Sequence, residues 1–252
     1  MKSIIIILLV LGALAACQSP VKQHIPEKET KHFPETFEKG LAAHGGLDKW
    51  NTYGTLRFNE ISGEDTVLHI IDLKNRNERM EKNGEYKIGF TADSISIYPD
   101  ENSFPNKNPR FFHNLRFYFF SLPFVTADDG ALQEELEPRE MDGTTYNRVK
   151  ITFRDGVGTA SKDQYILWFD SESNILKMIN FSVTYFNEAN AEKYNAIVIS
   201  KWGNTGGLKV PTEMIGYKWV NDTLGDIRYN KSFDGIAFST DRPEPDIFLN
   251  LE

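Results

Sequence analysis

From about residue 141 to 238, apolar and polar residues alternate with period two in one run after another, and no stretch of helical period separates the runs. A strand turns successive side chains to opposite faces, so this pattern describes an antiparallel sheet with one packed face and one wet face. Val149, Ile151 and Phe153 alternate with Arg148, Lys150, Thr152 and Arg154. Ile175, Ile179, Phe181, Val183 and Tyr185 share a face, with Lys177 as the exception. Earlier in the chain, Tyr86, Ile88 and Phe90 alternate with Lys87, Gly89 and Thr91. Asn83-Gly84, 170–174, 204–207 and 221–225 carry the turn chemistry between runs. The runs predict strands near 53–62, 65–73, 76–82, 85–91, 94–98, 145–154, 163–170, 174–186, 194–202, 208–219 and 225–238. They follow one another directly, as in a meander and unlike βαβ units. So many twisted strands in one sheet curl, and the concave side must be filled.

Two segments break the strand pattern. At 34–50, Pro34 suits a helix start, Phe37, Leu41 and His44 share a face, and Gly45-Gly46 ends the helix. At 109–124, Phe111, Leu115, Tyr118 and Leu122 keep helical spacing, while Phe112, Phe119 and Phe120 widen the stripe beyond one face. Arg110 and Arg116 are its only charges. A helix apolar nearly all round belongs inside something, and the inside of a curled sheet is the available place.

The first residues have a different character. Lys2 precedes an apolar run at 4–14, then two alanines and Cys17. This is the layout of a secretory signal, and the run is shorter than the ~20 residues a membrane span needs. Leu14-Ala15-Ala16-Cys17 resembles the lipobox of bacterial lipoproteins, which implies cleavage after residue 16 and a lipid-modified Cys17. Cys17 is the only cysteine, so it has no partner for a disulfide within the chain. Polar residues 18–33 read as a tether. Gln18 in place of aspartate resembles the outer-membrane class of lipoproteins. The expected organisation is a signal peptide over 1–16, a lipidated cysteine and tether over 17–33, and one domain over 34–252, held in the cell envelope by its lipid.

Taken in order, Ala43-His-Gly-Gly-Leu-Asp-Lys-Trp50, Leu122-Pro-Phe124, Tyr165-Ile-Leu-Trp-Phe-Asp170 with Asn174-Ile-Leu-Lys177, and Gly207-Leu-Lys-Val-Pro211 resemble the LolA/LolB-like lipoprotein-carrier superfamily. Within it, they are similar to a set of envelope lipoproteins from the Bacteroidota. The resemblance covers most of 37–240. It implies a mainly β fold with a few helices (α+β), an open antiparallel half-barrel with helices across its concave face and an apolar cavity between. It also implies a ligand with acyl chains: a lipid or a lipidated protein. A lipidated Cys17 departs from a soluble shuttle and is closer to an anchored receptor.

Visible chemistry is sparse. His24, His32, His44, His69 and His113 show no metal-ligand spacing. His44 reads as a helix C-terminal residue favoured by the dipole and packed near Trp50. His113 reads as exposed or hydrogen-bonded. No GxSxG, GxGxxG or P-loop occurs. The acids at 128–129, 134–135 and 241–246 fit no calcium loop and read as solvated loops. A hydrolase using dispersed carboxylates stays open, because their spacing is spatial. A net charge of −8, or −9 once Lys2 is removed with the signal, gives no electrostatic reason to bind nucleic acid. The expectation is a binding protein with no enzymatic activity, no metal and no cofactor. Phe111, Phe112, Leu115, Tyr118, Phe119, Phe120, Leu122, Phe124 and Trp168 are the candidates to line an apolar cavity. The alternative is an interaction protein of the envelope with a filled core.

Overall fold

The computed structural model describes residues 31–156, 158 and 160–252. The signal segment and Cys17 lie outside the described residues. One compact unit spans Phe33–Glu252. Among the described residues, no helix is long and apolar enough to cross a membrane.

Twelve strands form one antiparallel sheet that does not close into a barrel. The first five are β1 (Thr55–Ser62), β2 (Asp65–Asp72), β3 (Glu78–Lys82), β4 (Tyr86–Phe90) and β5 (Ile95–Tyr98). After a helical interlude come β6 (Ala131–Met141), β7 (Thr144–Phe153), β8 (Tyr165–Asp170), β9 (Leu176–Phe181), β10 (Asn195–Thr205), β11 (Leu208–Val220) and β12 (Thr223–Ser239). Their order is β5-β4-β3-β2-β1-β12-β11-β10-β9-β8-β7-β6. The sheet is thus two meanders joined by the pairing of β1 with β12, from Thr55 opposite Ser239 to Ile61 opposite Ser232. This is the mainly β architecture with few helices that the alternation leads one to expect.

Eleven of these strands fall where the alternation places them. β6 is the exception, since its acids predict a solvated loop. Its sequence, ALQEELEPREM, has no apolar alternation. An edge strand needs none: β6 bonds on one side only, to β7, and leaves its other side to solvent. Pro138 lies inside the irregularity between Leu136 and Arg139, where a missing N–H breaks no ladder bond. β9 is shorter than expected, and Lys177 marks the reason its pattern is broken. Leu176 opposes Phe169 and Met178 opposes Trp168, so Lys177 is the extra residue of a bulge. The bulge puts Leu176 on the same face as Ile179 and Phe181, in the main core with Leu167 and Phe169.

The helix expected from Pro34 to Gly45-Gly46 is present, and a second, short helix follows it. α1 (Glu35–Ala43) and α2 (Leu47–Asn51) are split by Gly45-Gly46. Gly45 has φ +107°, and a Cβ there would stand 2.4 Å from the Gly207 carbonyl oxygen, so a side chain is excluded both by backbone conformation and by space. α3 (Pro109–Phe120) has proline in its first turn and ends at Ser121, short of residue 124. Pro123 disfavours helical backbone at Leu122 and offers no N–H to continue the ladder. A 3₁₀ turn, Phe124–Ala127, follows.

α1 and α3 fill one face of the sheet. Phe37 and Leu41 of α1 and Phe117, Phe119 and Phe120 of α3 join Leu56, Phe58, Leu167, Ile197 and Met214 in the main core. The chain ends on the outer side of β3 and β4. Residues 245–251 cross Gly89, where a Cβ would sit 1.9 Å from the Phe248 carbonyl oxygen. Arg79 Nη1 donates to the Ile247 and Asn250 carbonyls at 3.2 Å each, and Phe248 and Leu251 are buried there.

Candidate functional site: a cavity beneath the aromatic helix

Between α3 and the sheet lies a cavity of about 390 Å³. This is within the ~300–1,000 Å³ range of small-molecule sites. Phe112, Leu115, Phe119 and Phe120 of α3 form one wall. Val67, Ile197, Met214 and Phe233 form the opposite wall, from β2, β10, β11 and β12. Positions 112, 115, 116, 119 and 120 lie three or four residues apart, so one helix face presents them all.

The same cavity has a charged end. Glu60 of β1, Arg116 of α3 and Lys231 of β12 line it. Lys231 Nζ donates to Glu60 Oε1 at 2.7 Å, and Arg116 Nε stands 3.5 Å from the same oxygen. Burial works against the Glu60 charge, but Lys231 and Arg116 outweigh it and hold its carboxyl below the usual range. Burial pushes the Lys231 ammonium below its ordinary value despite Glu60. At the rim, Lys82 sits between Asp65 at 2.7 Å and Glu85 at 2.8 Å. The phenol of Tyr229, also on the lining, is pushed up to about 12 by burial.

A second polar cluster fastens the roof of the cavity. Glu78 of β3 accepts from His69 Nδ1 of β2 at 2.6 Å and, through its other oxygen, from His113 Nδ1 of α3. All three are buried. Burial alone would raise the Glu78 carboxyl; the His113 and His69 partners reverse this and hold it at about 2. His69 stacks on Phe58 at 4.6 Å and His113 on Phe90 at 4.4 Å. Among the described residues, no group of three or more His, Cys, Asp or Glu side chains is arranged to hold a metal ion.

The candidates named from sequence separate into four places. Phe112, Leu115, Phe119 and Phe120 line the cavity. Phe111 packs by the loop after β9, against Tyr185 and Phe186. Tyr118 packs on Phe153 and Tyr165, Leu122 is buried in the core, and Phe124 stacks on Trp50 at 4.9 Å. Trp168 lies on the other face of the sheet. Its neighbours Leu167 and Phe169 take the inner positions of β8, so alternation turns Trp168 outward, to a separate cluster with Met178 and Ala196. There its Nε1 donates to Asn180, and Arg148 and Arg139 lie over its ring.

His44 ends α1, as expected, but its packing and charge differ from the expectation. It is wholly buried, and its ring packs edge-on against Trp202 at 4.6 Å. Its Nδ1 donates to Gly40 O at 2.7 Å, and its Nε2 accepts from the Leu176 N–H at 3.4 Å, at the β9 bulge. Burial lowers its pKa to about 4, so it is neutral and takes nothing from the helix dipole.

The charged residues of the site were missed in the sequence, although a signal was present. Glu60 follows Leu56 and Phe58 in the buried phase of β1, His69 falls between Val67 and Ile71, and Lys231 between Tyr229 and Phe233. A polar residue on the apolar phase of a strand is the mark they share.

A comparison with curated proteins finds no match. Among solved structures, the chain is similar to a LolA superfamily protein of Nitrosomonas europaea, at 11% identity and a TM-score of 0.49 over 78% of this chain and 88% of that one. It is also similar to a DUF1329 family protein of Desulfovibrio piger, at 9% identity and a TM-score of 0.42 over 81% and 91%. A Vibrio parahaemolyticus domain described as an outer membrane lipoprotein-sorting protein gives 9% identity and a TM-score of 0.42 over 84% and 97%. Residues 62–198, more than half of the chain, match a family model, and the protein therefore belongs to the family of unknown function DUF6503.

Proposed function

We propose that the protein is a membrane-anchored envelope lipoprotein that binds an apolar ligand beneath α3: an acyl chain, a lipid or part of a lipidated protein. The observation that carries this reading is the cavity of about 390 Å³ with apolar walls on both sides. Apolar area contributes about 25 cal/mol per Å² buried, and such a ligand needs no catalytic group. The anchor rests on Leu14-Ala15-Ala16-Cys17 and would hold the protein on the outer membrane. A single acyl chain binds a membrane only marginally, so two or three chains on Cys17 are needed for stable attachment.

The second reading is an interaction protein without a small ligand. It is favoured by the packing of Phe120, which stacks on Phe58 at 4.0 Å and gives part of the cavity wall to the core. Native mass spectrometry of the chain from Ser19 onward, which contains the whole compact unit, separates the two. Excess mass that leaves as a discrete lipid supports the binding reading. A bare mass, unchanged after incubation with phospholipid and acylated peptide, would sink it and favour the second.

A further inference from the structure

We propose that the ligand is an amphiphile with one anionic head group, the head seated on Arg116 and Lys231 and apolar chain laid along Phe112, Leu115 and Phe119. This rests on the reading of the cavity as an apolar-ligand site and adds the chemistry of the head.

The buried charges at the charged end do not balance. Two cations, Arg116 and Lys231, share one carboxylate, Glu60, and even share the same oxygen of it. The nearby acids are committed elsewhere: Asp65 and Glu85 to Lys82, and Glu78 to His69 and His113. Lys82 has one carboxylate to spare, but Asp65 and Glu85 are exposed at the rim, where water screens them; within the buried trio one positive charge is left over, and unpaired charge is expensive there. The donors are also in excess. Arg116 Nη1 is buried and has no hydrogen-bond partner among the described residues. Burial lowers the Lys231 pKa first, and the neighbouring Arg116 charge lowers it further against the pull of Glu60. A carboxylate or phosphodiester oxygen supplies both what the charge and what the donors lack, and Arg is the side chain best shaped to receive it. Tyr86 and Tyr229 bring two phenols to the same lining.

The helix ties head and chain together. Arg116 is one turn from Phe112, Phe119 and Phe120, so the cation and the apolar wall are presented by a single face. A neutral lipid would leave the charge uncompensated, and a cationic one would add to it.

The test is a set of matched pairs, measured by displacement of a neutral fluorophore from the chain beginning at Ser19 at pH 8: palmitate against hexadecanol, and lysophosphatidylglycerol against lysophosphatidylcholine. At least one anionic member should bind about tenfold tighter than its partner, the size of one charge-assisted hydrogen bond. Preference within the first pair assigns a carboxylate head; preference within the second alone assigns a phosphodiester. Lys231→Met should remove most of that preference. Glu60→Gln, which removes the competing carboxylate, should strengthen anion binding severalfold. Equal affinities within both pairs, or a preference indifferent to both substitutions, would overturn the head-group assignment and leave the apolar site standing. Failure of all four lipids to bind would overturn the apolar site as well.

Discussion

His44 shows how one side chain can carry a pH dependence without taking part in binding. It joins the end of α1 to the bulge of β9 by donating to Gly40 and accepting from Leu176, and only the neutral ring with its proton on Nδ1 can do both. Trp202 donates to the carbonyl of the same Leu176 at 3.1 Å, so two side chains satisfy the backbone that the bulge leaves unpaired. The folded pKa of about 4 lies below the ordinary 6.5. The unfolded chain therefore takes up the proton first as pH falls. The stabilisation is complete above about 6.5 and is lost between 6.5 and 4, by roughly 3 kcal/mol. Glu78 follows lower down, its contribution being lost as pH falls from 4.5 towards 2. In urea titrations, His44→Gln should keep most of the stability at pH 7.5, since an amide can donate to Gly40 and accept from Leu176. It should also abolish the loss between pH 6.5 and 4. A variant that retains the full loss would show that the proton goes elsewhere.

At the scale of the element, α3 does two jobs with neighbouring residues. Phe120 is core, stacked on Phe58 and edge-on to Phe233 at 5.2 Å, whereas Leu115 is only partly buried and borders open space. Phe120→Ala should cost about 3–5 kcal/mol in urea unfolding. Leu115→Ala should cost under half as much and enlarge the cavity, which would show as a longer preferred chain among bound fatty acids. Equal losses from both would mean that no open wall exists at Leu115. The helix itself was legible from its spacing, as were the strands, because period 3.6 and period 2 are imposed by burial. Its end was less so: residues 121–124 keep apolar character, and Pro123 decides the matter against the pattern. β6 was illegible for a related reason. An edge strand is held by backbone bonds to β7, and side-chain alternation records only what packing demands. The glutamates of Ala131–Met141 are compatible with solvent on one side, and nothing in their order announces a ladder.

For the whole molecule, the clamp at the C-terminus and the β1–β12 seam matter most. Residues 245–251 are seated where Gly89 has no side chain. Gly89→Ala should unseat them, making the C-terminal residues susceptible to limited proteolysis while the twelve-stranded sheet keeps its far-UV spectrum. Unchanged protection would mean that the Arg79 bonds suffice. The sequence made the two meanders legible, since each strand pairs with the next. Their joining was not, because Thr55 and Ser239 meet through register alone and carry no pattern that names the partner. The same seam governs when the site can exist. The cavity draws its walls from β1 and β2 on one side and β10, β11 and β12 on the other, and the last of these is the strand that unites them. A chain still being synthesised, or still threading through a translocation pore, therefore holds two unconnected sheets with a bare edge on each. It acquires a binding chamber only after its final strand emerges, so cargo cannot be taken up along the way and a chain cut short before β12 presents two sticky edges in place of a receptor.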